Sequence, residues 1–331
     1  MTGWPSGLAA AAVLVGAVLM VPPAQAAGDA VPHRTLFSFD DYTIFESSGL
    51  VDRGDVVYTN NDSGDDAVVY GVDPRTGRTV SRTTYAPSVH DVEAIAPGAD
   101  GTVWAGDTGD NRHARDDIAV YHLGTRDGDH PGTRYLLGYP DGPHDAETLL
   151  VQPGTQRVFV VTKSVFGGVV YVAPRTLTSG ATPQRLRAFA RVPGLVTDGS
   201  FFPDGRHVVL RTYGTASVYT FPDFRLEGSV TLPSQRQGEG ISVGADGRVL
   251  VSSEGAHSDV LAVTLPASLT SSAATPATPA TSGRVPEGTR VPEPEDTAGR
   301  GRSAGDWVGI AAVAAVLVGG FLLARRSSRP G

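Results

Sequence analysis

Five acidic residues recur along the middle of the chain: Glu46, Glu93, Glu147, Asp198 and Glu239, separated by 47, 54, 51 and 41 residues. Each opens a short apolar run, read as SSGL, AIA, TLLV, GSFF and GISV. Carboxylates gathered around one point repel one another, so such a set can stay ionised only beside ammonium, guanidinium or metal cations. Two internal cations recur in register with it. Lys163 is the only lysine in a chain with 27 Lys plus Arg, and Arg211 follows the fourth acid. Between residues 27 and 268 there are six Glu; four open a repeat, a fifth is Glu254, and only Glu227 lies elsewhere. A residue type confined in this way points to a ligand-binding set made of Glu46, Glu93, Glu147, Asp198, Glu239, Lys163, Arg211, Tyr213 and Glu254. The competing reading is that each acid caps a turn.

Metal chemistry has two sources. The tetrads His90-Asp91-Val92-Glu93 and His144-Asp145-Ala146-Glu147 hold ligand types that suit a transition metal. Asp62, in the NNDSGDD run at 60–66, and Asp107, Asp110 and Asn111 offer hard oxygen ligands that suit calcium better. Neither run has EF-hand spacing. There is no HExxH or P-loop. With no cysteine, thiolate metal sites, disulfides and a cysteine nucleophile are excluded.

The elements that must position these residues follow from the repeat. After each acid comes a tight turn (VDRGD, PGADG, QPGTQR, PDGRH, GADGR), then a second apolar strand (VVYT, TVWA, RVFVV, HVVLR, RVLVS) and a third (AVVYGV, IAVYHL, VVYVA, SVYTF, DVLAV). Val-, Tyr- and Phe-rich strands at this period predict the four-stranded blades of an all-β propeller. Fourth strands are predicted at 78–85, 133–139, 185–192 and 226–232, but the fifth repeat has none. Thr35–Phe39 can supply it and close the ring, which removes two open sheet edges. The expectation is five blades, or six if 124–145 holds further strands. In an antiparallel hairpin the start of the first strand lies beside the end of the second. The acids should therefore share one channel mouth with the residues that end each second strand.

DVEAIA at 91–96, GDTGDN at 106–111, YPDGPHDAETLLV at 139–151, VTK at 161–163, LRTY at 210–213 and GEGIS at 238–242 carry a family likeness. Together they resemble a group of secreted bacterial β-propeller proteins, similar to WD-repeat and NHL-type propellers, with no assigned reaction. The resemblance covers most of 46–255 and implies the propeller fold, with these positions at its functional mouth. A looser resemblance to phytase-like propellers implies calcium in an acidic channel; of the basic cluster that would hold phosphate, only Lys163 and Arg211 are present.

The two ends predict where this unit works. Leu8 to Val21 is an apolar run followed by Ala24-Gln25-Ala26, the pattern of a signal peptide over 1–26. The propeller is expected over 27–266, and a Pro/Thr/Ser/Ala-rich stalk over 267–305. Trp307 to Ala324 has 18 residues without a charge, ahead of Arg325, Arg326 and Arg329. That predicts a single membrane helix over 306–324 with a cytoplasmic basic tail at 325–331, and an extracellular N-terminal domain. A formal charge of −8 excludes nucleic acid as the expected partner. The function expected is a membrane-anchored propeller that binds a ligand, glycan or partner protein at an acidic mouth, with calcium. The alternative is a calcium-dependent glycosidase or phosphoesterase using two channel carboxylates, which would have to lie roughly 5–10 Å apart.

Overall fold

Twenty-two short strands account for nearly all of the regular structure in the computed structural model, which describes residues 29–62 and 66–270. The expected signal peptide over 1–26, the expected stalk beyond 270 and the expected membrane helix over 306–324 with its basic tail lie outside the described residues. Among the described residues, no helix is long and apolar enough to cross a membrane.

The strands form five sheets in chain order. The first strand, β1 (His33–Ser38), belongs to the last blade. Blade one is β2 (Ser47–Asp52), β3 (Val57–Asn61), β4 (Val68–Val72) and β5 (Thr79–Thr84). Blade two is β6 (Val92–Pro97), β7 (Val103–Asp107), β8 (Ile118–Leu123) and, after the two-residue β9 (Gly128–Asp129), β10 (Thr133–Gly138). Blade three is β11 (Ala146–Val151), β12 (Val158–Thr162), β13 (Gly168–Val172) and, after β14 (Gln184–Arg185), β15 (Arg187–Val192). Blade four is β16 (Asp198–Phe201), β17 (His207–Arg211), β18 (Thr215–Thr220) and β19 (Leu226–Thr231). Blade five is β20 (Gly238–Val243), β21 (Val249–Ser253) and β22 (Asp259–Val263), completed by β1.

The closing strand pairs antiparallel with β22, from His33 opposite Val263 to Ser38 opposite Asp259, as the ring-closure argument requires. Six blades are ruled out. The 124–145 interval holds β10 and the short β9, and β9 merely extends blade one by pairing parallel with β5. A helical turn, α1 (Ala267–Thr270), carries the folded chain past the expected boundary at 266 by seating Leu269 in the core beside Gly228.

The burial gradient explains why this sequence needs five copies. Every residue of β2, β11, β16 and β20 is buried, because an innermost strand has a blade on each side; β19, an outermost strand, has no buried residue. Apolar burial is worth about 25 cal/mol per Å², and a lone blade could cover neither face. Accordingly there are five apolar clusters, one at each blade interface. The last of them packs Phe37, Leu250 and Val260 of blade five on Leu50, Val57 and Tyr70 of blade one. The innermost strands pack in a ring, β2 on β6 and β20, β11 on β6 and β16, and β16 on β20.

Candidate functional site

Three of the repeating acids sit in breaks of the sheet ladder. The register between the first two strands of a blade shifts at Val92/Ala94, at Ala146/Thr148 and at Gly238/Ile241, so Glu93, Glu147 and Glu239 fall within bulges. A bulged residue leaves the in-and-out alternation of its strand, which re-aims its side chain. The carbonyls at these bulges find partners in the preceding blade. Ser48 Oγ donates to the Glu93 carbonyl at 2.5 Å, Thr108 Oγ1 to that of Ala146 at 2.7 Å, and Thr197 Oγ1 to that of Glu239 at 3.1 Å. Each hydroxyl thereby satisfies a buried acceptor and ties two blades together.

Blades one and four depart from this pattern. In blade one the bulge spans Ser48 and Gly49, so Ser48 occupies the bulge position and Glu46 lies just before the strand, half-buried. Asn61 Oδ1 fixes that approach by accepting the N–H groups of Phe45 and Glu46, both at 3.2 Å. In blade four the first two strands pair without a bulge, and Asp198 pairs directly with Arg211. The Asp198 carboxylate is fully buried and accepts the N–H groups of Gly199 at 2.8 Å and Ile241 at 2.7 Å. Asp198 thus joins blades four and five and does not enter the mouth.

Arg211 is also fully buried. Its Nη1 donates to the carbonyls of Gly240 at 2.6 Å and Ser252 at 2.8 Å, and its Nη2 to Gln235 Oε1 at 2.7 Å. Desolvation lowers its pKa to about 10, against the pull of Glu239 and Asp198. It is a positive charge set beneath the mouth, and Gly238 is required because a Cβ there would overlap the guanidinium.

Two polar groups then occupy the mouth. On the side of blades one and two, one carboxylate oxygen from each of Asp62, Asp91 and Glu93 lies within 4.8 Å of the others. Glu93 is 3% exposed, yet its carboxyl meets another carboxyl, that of Asp62. Asp91 Oδ1 is buried with no hydrogen-bond partner. Burial drives the Glu93 carboxyl far above its usual range, and the charges of Asp62, Glu147 and Asp91 add to the rise. Asp91 is pushed up to about 6 by burial, then by Asp62 and Asp145. Gly109 makes the convergence possible, since a Cβ at this residue would fall 2.5 Å from both Asp91 Oδ2 and Glu93 Oε1. Two carboxyl groups can face each other only with a proton or a cation between them.

On the side of blades three to five, Lys163 Nζ is bonded to the Glu147 carboxylate and lies 5.2 Å from the centre of the Tyr213 ring. Burial opposes the ammonium charge, but Glu147, Tyr213 and Glu239 outweigh it and hold Lys163 protonated well above its usual value. The Glu147 carboxyl is pushed up by burial and drawn back by Lys163. Gln237 Nε2 bridges Glu254 Oε1 at 2.7 Å and Glu239 Oε1 at 3.3 Å. Burial pushes Glu239 up to about 7 against the pull of Lys163. Glu254 rises to about 8, through burial and the charges of Glu239, Asp62 and Glu46.

The residues expected to hold calcium therefore separate. Asp62 joins the cluster. Asp107 is committed to the N–H groups of His90 at 3.2 Å and Asp91 at 3.0 Å and to Arg115 Nη1 at 2.8 Å. Asp110 caps the N–H groups of Ala114 and Arg115, both at 2.9 Å, and Asn111 is exposed. A short side chain at a strand end is easily taken by its own loop. The tetrads contribute acids only. The His90 side chain is exposed, and His144 Nε2 is engaged with Asp141 at 3.1 Å and the Tyr171 hydroxyl at 2.9 Å. Gln237, Gly109 and the pairing of Asp91 with Glu93 were not readable as site features from residue type alone. The signal for the last was the Asp-x-Glu spacing, which a bulge turns to one side. Chemically, the arrangement can hold a hard divalent cation at Asp62, Asp91 and Glu93, or transfer protons through Glu239 and Glu254.

No known family pattern matches the chain, and no curated protein matches it. Solved structures with similar folds include a gluconolactonase from Xanthomonas campestris, 15% identical, covering 71% of this chain and 90% of that one, with a TM-score of 0.43. An aldose sugar dehydrogenase from Streptomyces coelicolor in its PQQ-bound form is 11% identical, covering 70% of this chain and 99% of that one, with a TM-score of 0.42. A glucose dehydrogenase is 10% identical, covering 71% and 99%, with a TM-score of 0.46.

Proposed function

We propose that this is a surface-displayed propeller whose acidic mouth binds a ligand around a hard divalent cation, calcium by donor type, held by Asp62, Asp91 and Glu93. The observation that carries the reading is the buried Glu93 carboxyl facing Asp62, beside an Asp91 oxygen with no donor. A bound divalent cation would offset two of the three carboxylate charges at once, and oxygen-only donors suit calcium. Lys163, which has N–H groups beyond the one given to Glu147, and Tyr213 on the opposite side supply a donor and a ring face for the ligand itself.

The leader, stalk, membrane helix and extracellular location read from the sequence complete this proposal.

Thermal unfolding of the purified protein with calcium, magnesium or chelator tests it. Calcium at saturation should raise the melting temperature of the parent but not of Glu93→Gln; equal shifts in both would refute the site. A hydrolase is the second reading, favoured by Glu239 and Glu254, two carboxyls linked by Gln237 and tuned to about 7 and about 8. It requires turnover of glycosides or phosphoesters that Glu239→Gln abolishes, and a screen without turnover removes it.

A further inference from the structure

Seven large apolar side chains are exposed among the described residues, and five of them, Tyr42, Phe45, Val165, Phe166 and Tyr213, lie on loops at the mouth end. Tyr42 and Phe45 belong to the loop from β1 into β2, while Val165 and Phe166 tip the β12–β13 hairpin and Tyr213 the β17–β18 hairpin. The hairpins close at the mouth because Lys163 N–H bonds to the Asp145 carbonyl and Arg211 pairs with Asp198, both at the start of an innermost strand. Apolar side chains scattered singly over a surface need no explanation, but their concentration on one face does. Phe166 is 86% exposed and Tyr42 is 77% exposed, so neither is held by the core.

These side chains form two groups with the carboxylates between them. One lies at blades one and five, where Tyr42 packs edge-on against His257 at 4.3 Å and the Phe45 carbonyl accepts Gly255 N–H. The other lies at blades three and four, where the Tyr213 ring faces Lys163. Of the cations close to the carboxylates, Lys163 is committed to Glu147, Arg115 to Asp107 and Arg211 to backbone carbonyls, while the exposed Arg236 lies against Gly255, next to Glu254. Among the described residues, Gln237 is the side-chain donor that Glu239 and Glu254 share. Lys163 itself shows how this mouth receives a cation, with a carboxylate on one side and an aromatic face on the other.

We infer that the mouth is a docking surface for an extended segment of a partner protein. Its basic side chain enters beside Glu239 and Glu254, and apolar residues on either side of that base rest on the Phe166/Tyr213 and Tyr42/Phe45 groups. Charge complementarity selects the basic residue, and the two apolar groups select its flanks. The inference rests on the proposed reading of the mouth as a binding site and adds the chemistry of the occupant.

Panning a displayed random peptide library on the full-length protein, with calcium present, tests it. The expected result is enrichment of sequences with Arg or Lys between aromatic or aliphatic residues. Synthetic versions should lose at least about tenfold in affinity when citrulline replaces the arginine, and a similar factor on the Tyr42→Ser, Phe166→Ser double variant with its melting temperature unchanged. Enrichment of neutral or acidic sequences would overturn the inference, and so would no enrichment over the double variant or saturable binding of neutral glycans in place of peptides. A calcium-induced rise in melting temperature measured on the same preparation separates the two readings. If it persists while basic peptides fail, the docking inference falls and the cation site stands.

Discussion

Blades three and four carry an acid at the same point of the repeat, and the two acids do opposite things. Glu147 sits in a bulge, reaches the mouth and meets Lys163, whereas Asp198 sits in an unbroken ladder and turns inward to two backbone N–H groups. Residue type and period are alike; backbone register and one methylene of reach differ. The comparison teaches that a recurring acid marks a position in the fold and that a bulge decides whether the position faces a ligand. Blade one reinforces the point, since its bulge holds Ser48 and its acid stands outside it.

Stability should separate the two kinds of acid most sharply. Asp198→Ala leaves two buried N–H groups without an acceptor, which costs about 3 kcal/mol. A chain of this size should then melt roughly 6–12 °C lower. Glu93→Gln removes a carboxyl whose charge the fold disfavours, so without calcium it should melt no lower than the parent. Calorimetric scans of both variants would break the comparison if the order were reversed.

The pH dependence is the next largest effect. The carboxyls of Glu93, Glu239 and Glu254 are raised in the folded state, to about 7 for Glu239 and about 8 for Glu254. Between the ordinary glutamate range and pH 8 the native state therefore binds more protons than the unfolded chain, and stability must fall as pH rises through that window. A loss on the order of 2 kcal/mol in chelator is expected from pH 5 to pH 8 by this linkage, discounted for solvent screening of the partly exposed Glu254. Glu239→Gln and Glu254→Gln should each flatten the profile, and calcium should restore stability at the alkaline end. Denaturant titrations at several pH values check the sign. An alanine at Gly109 acts on the site more than on the fold. Its Cβ would push Asp91 and Glu93 apart, so calcium affinity should fall about tenfold, or about 1.4 kcal/mol. Smallest of all, Glu46→Gln should change stability by less than about 0.5 kcal/mol, because this acid lies outside its bulge.

Much of the architecture was legible because it rests on period and composition. The apolar strands, the Gly-Asp turns and the closing role of Thr35–Phe39 all follow from alternation and from the need to cover a sheet edge. The site was legible only in part. Glu93, Glu147, Glu239, Glu254, Lys163 and Tyr213 converge, but a bulge is a relation between two strands and leaves no mark in either one alone. Asp107 and Asp110 look like ligands in sequence and act as caps in the fold, because their N–H partners lie within a few residues or across the hairpin. The full burial of Arg211 was hidden for a similar reason: it depends on Gly238 in the next blade, and no single-strand pattern reports on that.

Diffraction from crystals grown with terbium in place of calcium tests most directly whether Asp62, Asp91 and Glu93 share one cation. An anomalous peak bonded to all three carboxylates at about 2.3–2.6 Å is the predicted result. A peak in the Asp107–Asn111 loop instead, or none between the three carboxylates at saturating terbium, would contradict it.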